Sequence, residues 1–285
     1  MEKITFIAII LLLGFHIEAS EIKHKITNGV APNNNLWIDV NDKISGGITK
    51  DQFNKVIDDV NSVYEPIFKS LNCRLVFERN WDDGTVNAST DRDRTTCNVY
   101  MYGGLARYAT ITPDAFTYAI CHEIGHHLGG APKDDFGLWA SVEGQADYFA
   151  GLKCLKKIWG HDDNVLLMGQ RTIDPIAVSA CEKRYSNSSD IALCKRLTQA
   201  GKILASILAN IKGESEVSFS SPSQVVVQET MADHPPSQCR LDTFLAAALC
   251  NKNPDENFSD ENSRIGACNQ GSDSFGFRPR CWYKP

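Results

Sequence analysis

The sequence predicts an α+β protein with a small N-terminal sheet among helices and a mostly helical remainder. Three observations carry that expectation. A helix-period apolar pattern fills residues 53–68, two short strand-like runs follow at 73–78 and 96–102, and further helix-period patterns occupy most of the chain from residue 112 to 250. At 42% hydrophobic residues and 22% charged, the chain has enough apolar side chains for a packed core, which excludes disorder as its main state.

In chain order, a short strand is expected at residues 36–40. Thr49 to Gln52 then reads as a capping box opening a helix, with Phe53, Val56, Ile57, Val60, Val63, Tyr64, Ile67 and Phe68 on its buried stripe and Pro66 disturbing its end. The two strand runs are separated by a polar stretch with Asp82-Asp83-Gly84 as its turn signal. Thr112 is an N-cap with Pro113 at the first helical position. The stripe Phe116, Ala119, Ile120, Ile124 and Leu128 follows, and Gly129-Gly130 ends the helix. Later helices are expected at about 138–158, 190–211 and 237–250. Beyond Asn251 the chain is rich in Asn, Asp, Ser and Gly, so it needs cysteines to hold it down.

An apolar run at residues 4–13, behind Lys3 and followed by Ala19 and Ser20, has the form of a secretory signal peptide over about 1–20, placing the mature start near Glu21. The run is too short to span a bilayer, so a secreted or periplasmic protein with no stable membrane insertion is expected. The ten cysteines all lie beyond it, and the even count implies up to five disulfides whose pairing the sequence leaves open. No C-x-x-C is present, which excludes a zinc ribbon. Asn87, Asn187 and Asn257 stand in glycosylation sequons. A net charge of −6 with scattered Lys and Arg gives no basic face for phosphates, so nucleic acid is not an expected partner. The expected organisation is a signal peptide at 1–20, a main domain at 21–250 and a cysteine-containing extension at 251–285.

His122-Glu123-Ile124-Gly125-His126 is H-E-x-x-H within a segment that caps and patterns as a helix. Residues four apart share a helix face, so His122 and His126 can aim imidazole nitrogens at one point while Glu123 lies at its edge. Zinc takes such a pair with one more protein ligand and a position left for water, and one Zn²⁺ per chain is the expected cofactor. A third histidine six residues after His126 would mark a metzincin, but Pro132 stands there. Downstream, Glu143 and Asp147 share a face of the next helix. Taken without the motif they are two acids on a solvated helix; beside it, Glu143 can complete the metal site and Asp147 can accept the outer N–H of a ligand histidine. Asp114, His127 and His161 are less suited as third ligands, by distance, helix face and loop position respectively.

His122 to His126 followed by Glu143-x-x-Ala146-Asp147 resembles the gluzincin zinc metallopeptidases, most closely those of the CaaX-prenyl-protease and HtpX type. His234-Pro235, with Arg240 six residues after the histidine, is similar to that family's downstream segment. The match is confined to motifs between about residues 112 and 249, and this chain lacks the family's membrane helices. The resemblance implies a zincin-like catalytic domain and a secreted zinc metalloendopeptidase acting on a peptide or protein substrate. Glu123 would be the general base that activates water at the zinc, and His234 and Arg240 would donate to the oxyanion. Substrate backbone is expected to add as a strand at residues 98–103. Two alternatives stand beside this: a zincin-fold binding protein without catalysis, and a zinc hydrolase of a non-peptide substrate.

Overall fold

Thr49 and Gln52 bond reciprocally across the first turn of α1 (Lys50–Ser70), the Gln52 amide donating to Thr49 Oγ1 at 3.2 Å and the Thr49 amide to Gln52 Oε1 at 2.9 Å. This is the expected capping box. Helix α1 runs through Pro66 to Ser70, because the proline lies on the exposed face, where the carbonyl its ring leaves unbonded meets water. The computed structural model describes residues 29–42, 46–134 and 139–285; the expected signal peptide lies outside them.

Strands β1 (Arg74–Asn80), β2 (Ala88–Asp93) and β3 (Thr96–Tyr102) form one sheet in the order β1-β3-β2, with β1 parallel and β2 antiparallel to β3. Strand β2 comes from the polar stretch that showed no strand signal. Its sequence, Ala-Ser-Thr-Asp-Arg-Asp, has no apolar alternation, and it is a strand because a tight turn at Arg94 (φ 42°) folds β3 back on it. The central place of β3 corrects the expectation that residues 98–103 offer a free edge: both sides of that strand are paired. The expected strand at 36–40 is reduced to a single bridge between Trp37 and Thr85, since Leu36, Trp37 and Val40 are all exposed and the Asp39 carboxylate turns the backbone by accepting from the Asn41 amide.

After a single turn, α2 (Gly103–Ala106), comes the central helix α3 (Pro113–Leu128), capped by Thr112 Oγ1, which accepts from the Ala115 amide, and ending at Gly129. It is buried on nearly every side, between α1 and the sheet on one side and the later helices on the other. The next helix begins at Glu143 and not near 138. The amides of Ser141 and Val142 donate back to the carbonyls of His126 and Pro132, holding this stretch against the end of α3 in extended form. From Glu143 the chain runs as α4 (Glu143–Phe149), a π-helical turn (Ala150–Cys154) and α5 (Leu155–Trp159). Helices α3 and α4 touch backbone to backbone: a Cβ on Gly125 would stand 2.7 Å from the Ala146 carbonyl oxygen.

Two short helices without a strong periodic signal, α6 (Asn164–Gly169) and α7 (Pro175–Arg184), start on the aspartate caps Asp163 and Asp174. The expected long helix is α8 (Ser188–Lys212), capped by Asn187 and stopped by left-handed Gly213, and the last is α9 (Ser237–Leu249). All ten cysteines are paired, as 73–97, 121–154, 181–194, 239–281 and 250–268. Five disulfides suit an oxidising compartment outside the cytosol. No described helix is long and apolar enough to cross a membrane. Residues 251–285 contain neither helix nor strand and are pinned by two of the bridges and by Trp282, which lies flat on Gly144 of α4 and donates to Thr243 Oγ1 at 2.9 Å.

Candidate metal centre

One turn apart on α3, His122 and His126 bring their Nε2 atoms to 3.2 Å. The other nitrogen of each ring is occupied: His122 Nδ1 lies 2.8 Å from Asp147 Oδ1 and His126 Nδ1 lies 2.8 Å from the Ser141 carbonyl oxygen. Carboxylate and carbonyl oxygens only accept, so a proton sits on Nδ1 in each case and both Nε2 atoms are turned toward the same point. Glu143, at the first position of α4, adds Oε2 at 3.2 Å from His122 Nε2 and Oε1 at 3.8 Å from His126 Nε2. All three side chains are buried, and one ligand atom from each lies within 4.8 Å of the others. Two imidazole nitrogens and a carboxylate crowded at one buried point call for a positive charge, a proton or a metal ion. Two nitrogens at ~2.0–2.1 Å from a tetrahedral ion stand about 3.3 Å apart, so the histidine spacing fits a metal ion.

The electrostatics of the chain alone make the same demand. Burial would depress the His122 imidazole, but the Asp147 and Glu143 carboxylates outweigh it and hold His122 up at about 9. His126, buried and beside His122, is held down at about 4. The Glu143 carboxyl is also pressed far down: burial would raise it, and the three imidazoles of His126, His234 and His122 prevail.

Glu123 is fully buried next to the cluster, and among the described residues no side chain hydrogen-bonds either carboxylate oxygen; the backbone group that borders them is the Val30 amide. Burial pushes its carboxyl up to about 8. An acid with no side-chain partner is costly to keep in a core, which is a common mark of a group held for proton transfer.

The two downstream residues part company. His234 reaches the metal-facing side, with Nε2 at 3.3 Å from Glu143 Oε2 and 2.7 Å from the Gly29 carbonyl oxygen. Arg240 stands behind His122, on the Nδ1 side: its Nε and Nη2 donate to the two Asp147 oxygens at 2.7 and 2.6 Å, and its Nη1 to the Val30 carbonyl. That arrangement corrects the expectation of Arg240 as an oxyanion donor, since its guanidinium is engaged in orienting Asp147, and Asp147 in turn orients His122. Burial would raise the Asp147 carboxyl, but Arg240 and His122 hold it below the usual carboxylate range.

Sequence reasoning did not find Ser141, whose role rests on a backbone carbonyl and therefore on no particular side chain. It also missed Asn87, which it read only as a sequon. The Asn87 side chain is buried and bonds the backbone of Ala31 through both its oxygen and its nitrogen, an arrangement incompatible with a glycan. The residues set aside as ligands lie elsewhere: Asp114 pairs with Arg196 and Arg171, His127 meets Thr90 Oγ1 at 2.6 Å and stacks on Trp139, and His161 is exposed. No family model matches the chain, and no curated protein or solved structure matches it either.

Proposed function

We propose that the chain is a zinc-dependent metallopeptidase of the gluzincin type, exported from the cell, with His122, His126 and Glu143 as its ligands. The observation that carries this reading is the convergence of those three side chains beside a buried carboxylate, Glu123, that no other side chain hydrogen-bonds. A purely structural metal site has no need of such a group. When bound, zinc supplies Lewis acidity, polarising a carbonyl and acidifying water.

The chain's own residues would do the rest. Glu123, too far round α3 to join the ligand set, takes a proton from the attacking water and hands it to the leaving amine; a carboxyl displaced toward neutral pH suits both steps. His234 is placed to donate from Nε2 to a carbonyl oxygen at the mouth of the cluster, as it does to that of Gly29, and would hold the oxyanion, a contribution of typically ~3–4 kcal/mol. Arg240 and Asp147 keep His122 in the tautomer and orientation that bind metal.

The test is hydrolysis of casein or a peptide library by purified protein, with and without a chelator, beside Glu123→Gln. Chelator-sensitive cleavage is expected, and the variant should hold one zinc with no turnover. Near-normal turnover by Glu123→Gln, or no cleavage by metal-replete native protein, would refute the reading.

A further inference from the structure

The outer edge of β2 is covered by the chain's own residues 29–31. The Val30 amide donates to the Ala88 carbonyl at 3.0 Å, as an added strand would, and the Ala31 amide and carbonyl are both held by the Asn87 side chain, at 2.9 and 3.0 Å. The Val30 carbonyl accepts from Arg240, and the Gly29 carbonyl accepts from His234, which itself touches Glu143. The Val30 amide also borders Glu123. All three residues are buried. A main chain is thus gripped at five points by Asn87, the β2 residue Ala88, Arg240 of α9 and His234 before α9, with one peptide bond, Gly29–Val30, lying between the proposed oxyanion donor and the proposed base.

From this geometry we infer that the edge of β2 beside the metal ligands takes an extended peptide with glycine immediately before the cleaved bond, and that the chain's own Gly29–Val30 bond is such a substrate. The glycine requirement follows from the backbone. Gly29 has φ +86°, which L side chains rarely adopt, and a Cβ there would stand 1.9 Å from the Ala88 carbonyl oxygen and 2.8 Å from Asn87 Oδ1. The inference deepens the peptidase reading and rests on it. Hydrolysis adds one water: hydroxyl goes to the Gly29 carbonyl carbon, the C–N bond breaks, and the water's remaining proton goes to the Val30 nitrogen, leaving a Gly29 carboxylate and a new amino terminus at Val30.

Two measurements on the full chain test this. In the first, zinc-replete wild type, Glu123→Gln and Gly29→Ala proteins are followed by intact mass and N-terminal sequencing, and wild type is given a peptide library. Wild type should convert to a chain starting at Val30 and cut library peptides after glycine; both variants should keep the 29–30 bond. In the second, metal-free Glu123→Gln protein, with the bond intact, should show Val30 and Ala31 amides slowed at least about 100-fold in hydrogen exchange, and adding Asn87→Ala should remove the protection at Ala31. Library peptides cut without regard to glycine while the 29–30 bond survives would overturn the inference and leave the peptidase reading standing. No cleavage of any peptide by metal-replete protein overturns both. Unprotected Val30 and Ala31 amides, or cleavage of Glu123→Gln at the same bond, would also overturn the inference.

Discussion

Replacing Arg240 by methionine tests whether this arginine acts through Asp147. Methionine keeps much of the volume, so the loss is polar: two hydrogen bonds to Asp147 and one to the Val30 carbonyl. Asp147, fully buried, is then left with His122 as its partner. Removing one member of a buried ion pair costs about 3–5 kcal/mol, which urea unfolding of the metal-free protein will register. Because Asp147 orients His122, zinc affinity should weaken by roughly 10- to 100-fold, read by competition with a chromophoric chelator. The pH dependence follows. Arg240 holds the Asp147 carboxyl low, so Asp147 stays ionised and accepts from His122 throughout the neutral and mildly acid range. In the variant the Arg240 charge no longer offsets burial and only His122 holds the carboxyl down, so it moves up and the extra loss of zinc affinity should deepen as pH falls. His234→Ala should behave oppositely, keeping zinc affinity while kcat drops roughly 100-fold. An Arg240→Met protein with native stability and zinc affinity but much reduced kcat would refute this account and make the Val30 carbonyl contact, in place of Asp147, the arginine's function.

Three further outcomes are expected. His122→Ala or Glu143→Ala should lose the full equivalent of zinc in metal analysis; retention of it would disprove the ligand set. Replacing Cys239 and Cys281 together by serine removes a bridge with a sequence separation of 42, a loss of about 4 kcal/mol by loop-closure entropy, and should make residues 251–285 the first site of limited proteolysis. Asp114, which burial would raise, is held down by Arg196 and Arg171, so its folded value lies below the unfolded one. Its contribution is then complete above about pH 5 and is lost as pH falls through the folded value, and Asp114→Asn, costing about 3 kcal/mol at neutral pH, should flatten that part of the stability curve in urea titrations between about pH 5 and 2.

Local chemistry made α1 and α3 legible: the Thr49–Gln52 box and the Thr112-Pro113 cap state where each helix begins, and their apolar stripes state which side is buried. The His122–His126 pair could be placed because one helix carries both residues. Strand β2 could not be seen, since its strand character is conferred by its partner and not by its own polar side chains. The apolar run around Trp37 misled for the complementary reason, strand-like letters with no sheet face to bury them. Arg240 was found but misassigned: its spacing from His234 says that both lie near the start of α9, and nothing in that spacing says that Asp147 of another helix stands before the guanidinium. The covering of the β2 edge by residues 29–31 is invisible in the letters, as it depends on contacts some 56 and 210 positions away along the chain.

The crossing of α3 and α4 at Gly125 and Ala146 decides how the metal site can change. Most helix pairs are separated by side chains, and their spacing drifts as those side chains are exchanged. Here main chain rests on main chain between His122 and His126 on one helix and between Glu143 and Asp147 on the other, so the bite of the ligand set has no side chain to loosen it. One added methyl at position 125 would wedge the ligands apart. Substitution elsewhere on the two helices can alter the shape of the cleft and the charge around it while the coordination distances stay as they are. Variation around the site therefore has the loops and the sheet edge as its material, with the His122, His126 and Glu143 frame held constant beneath them.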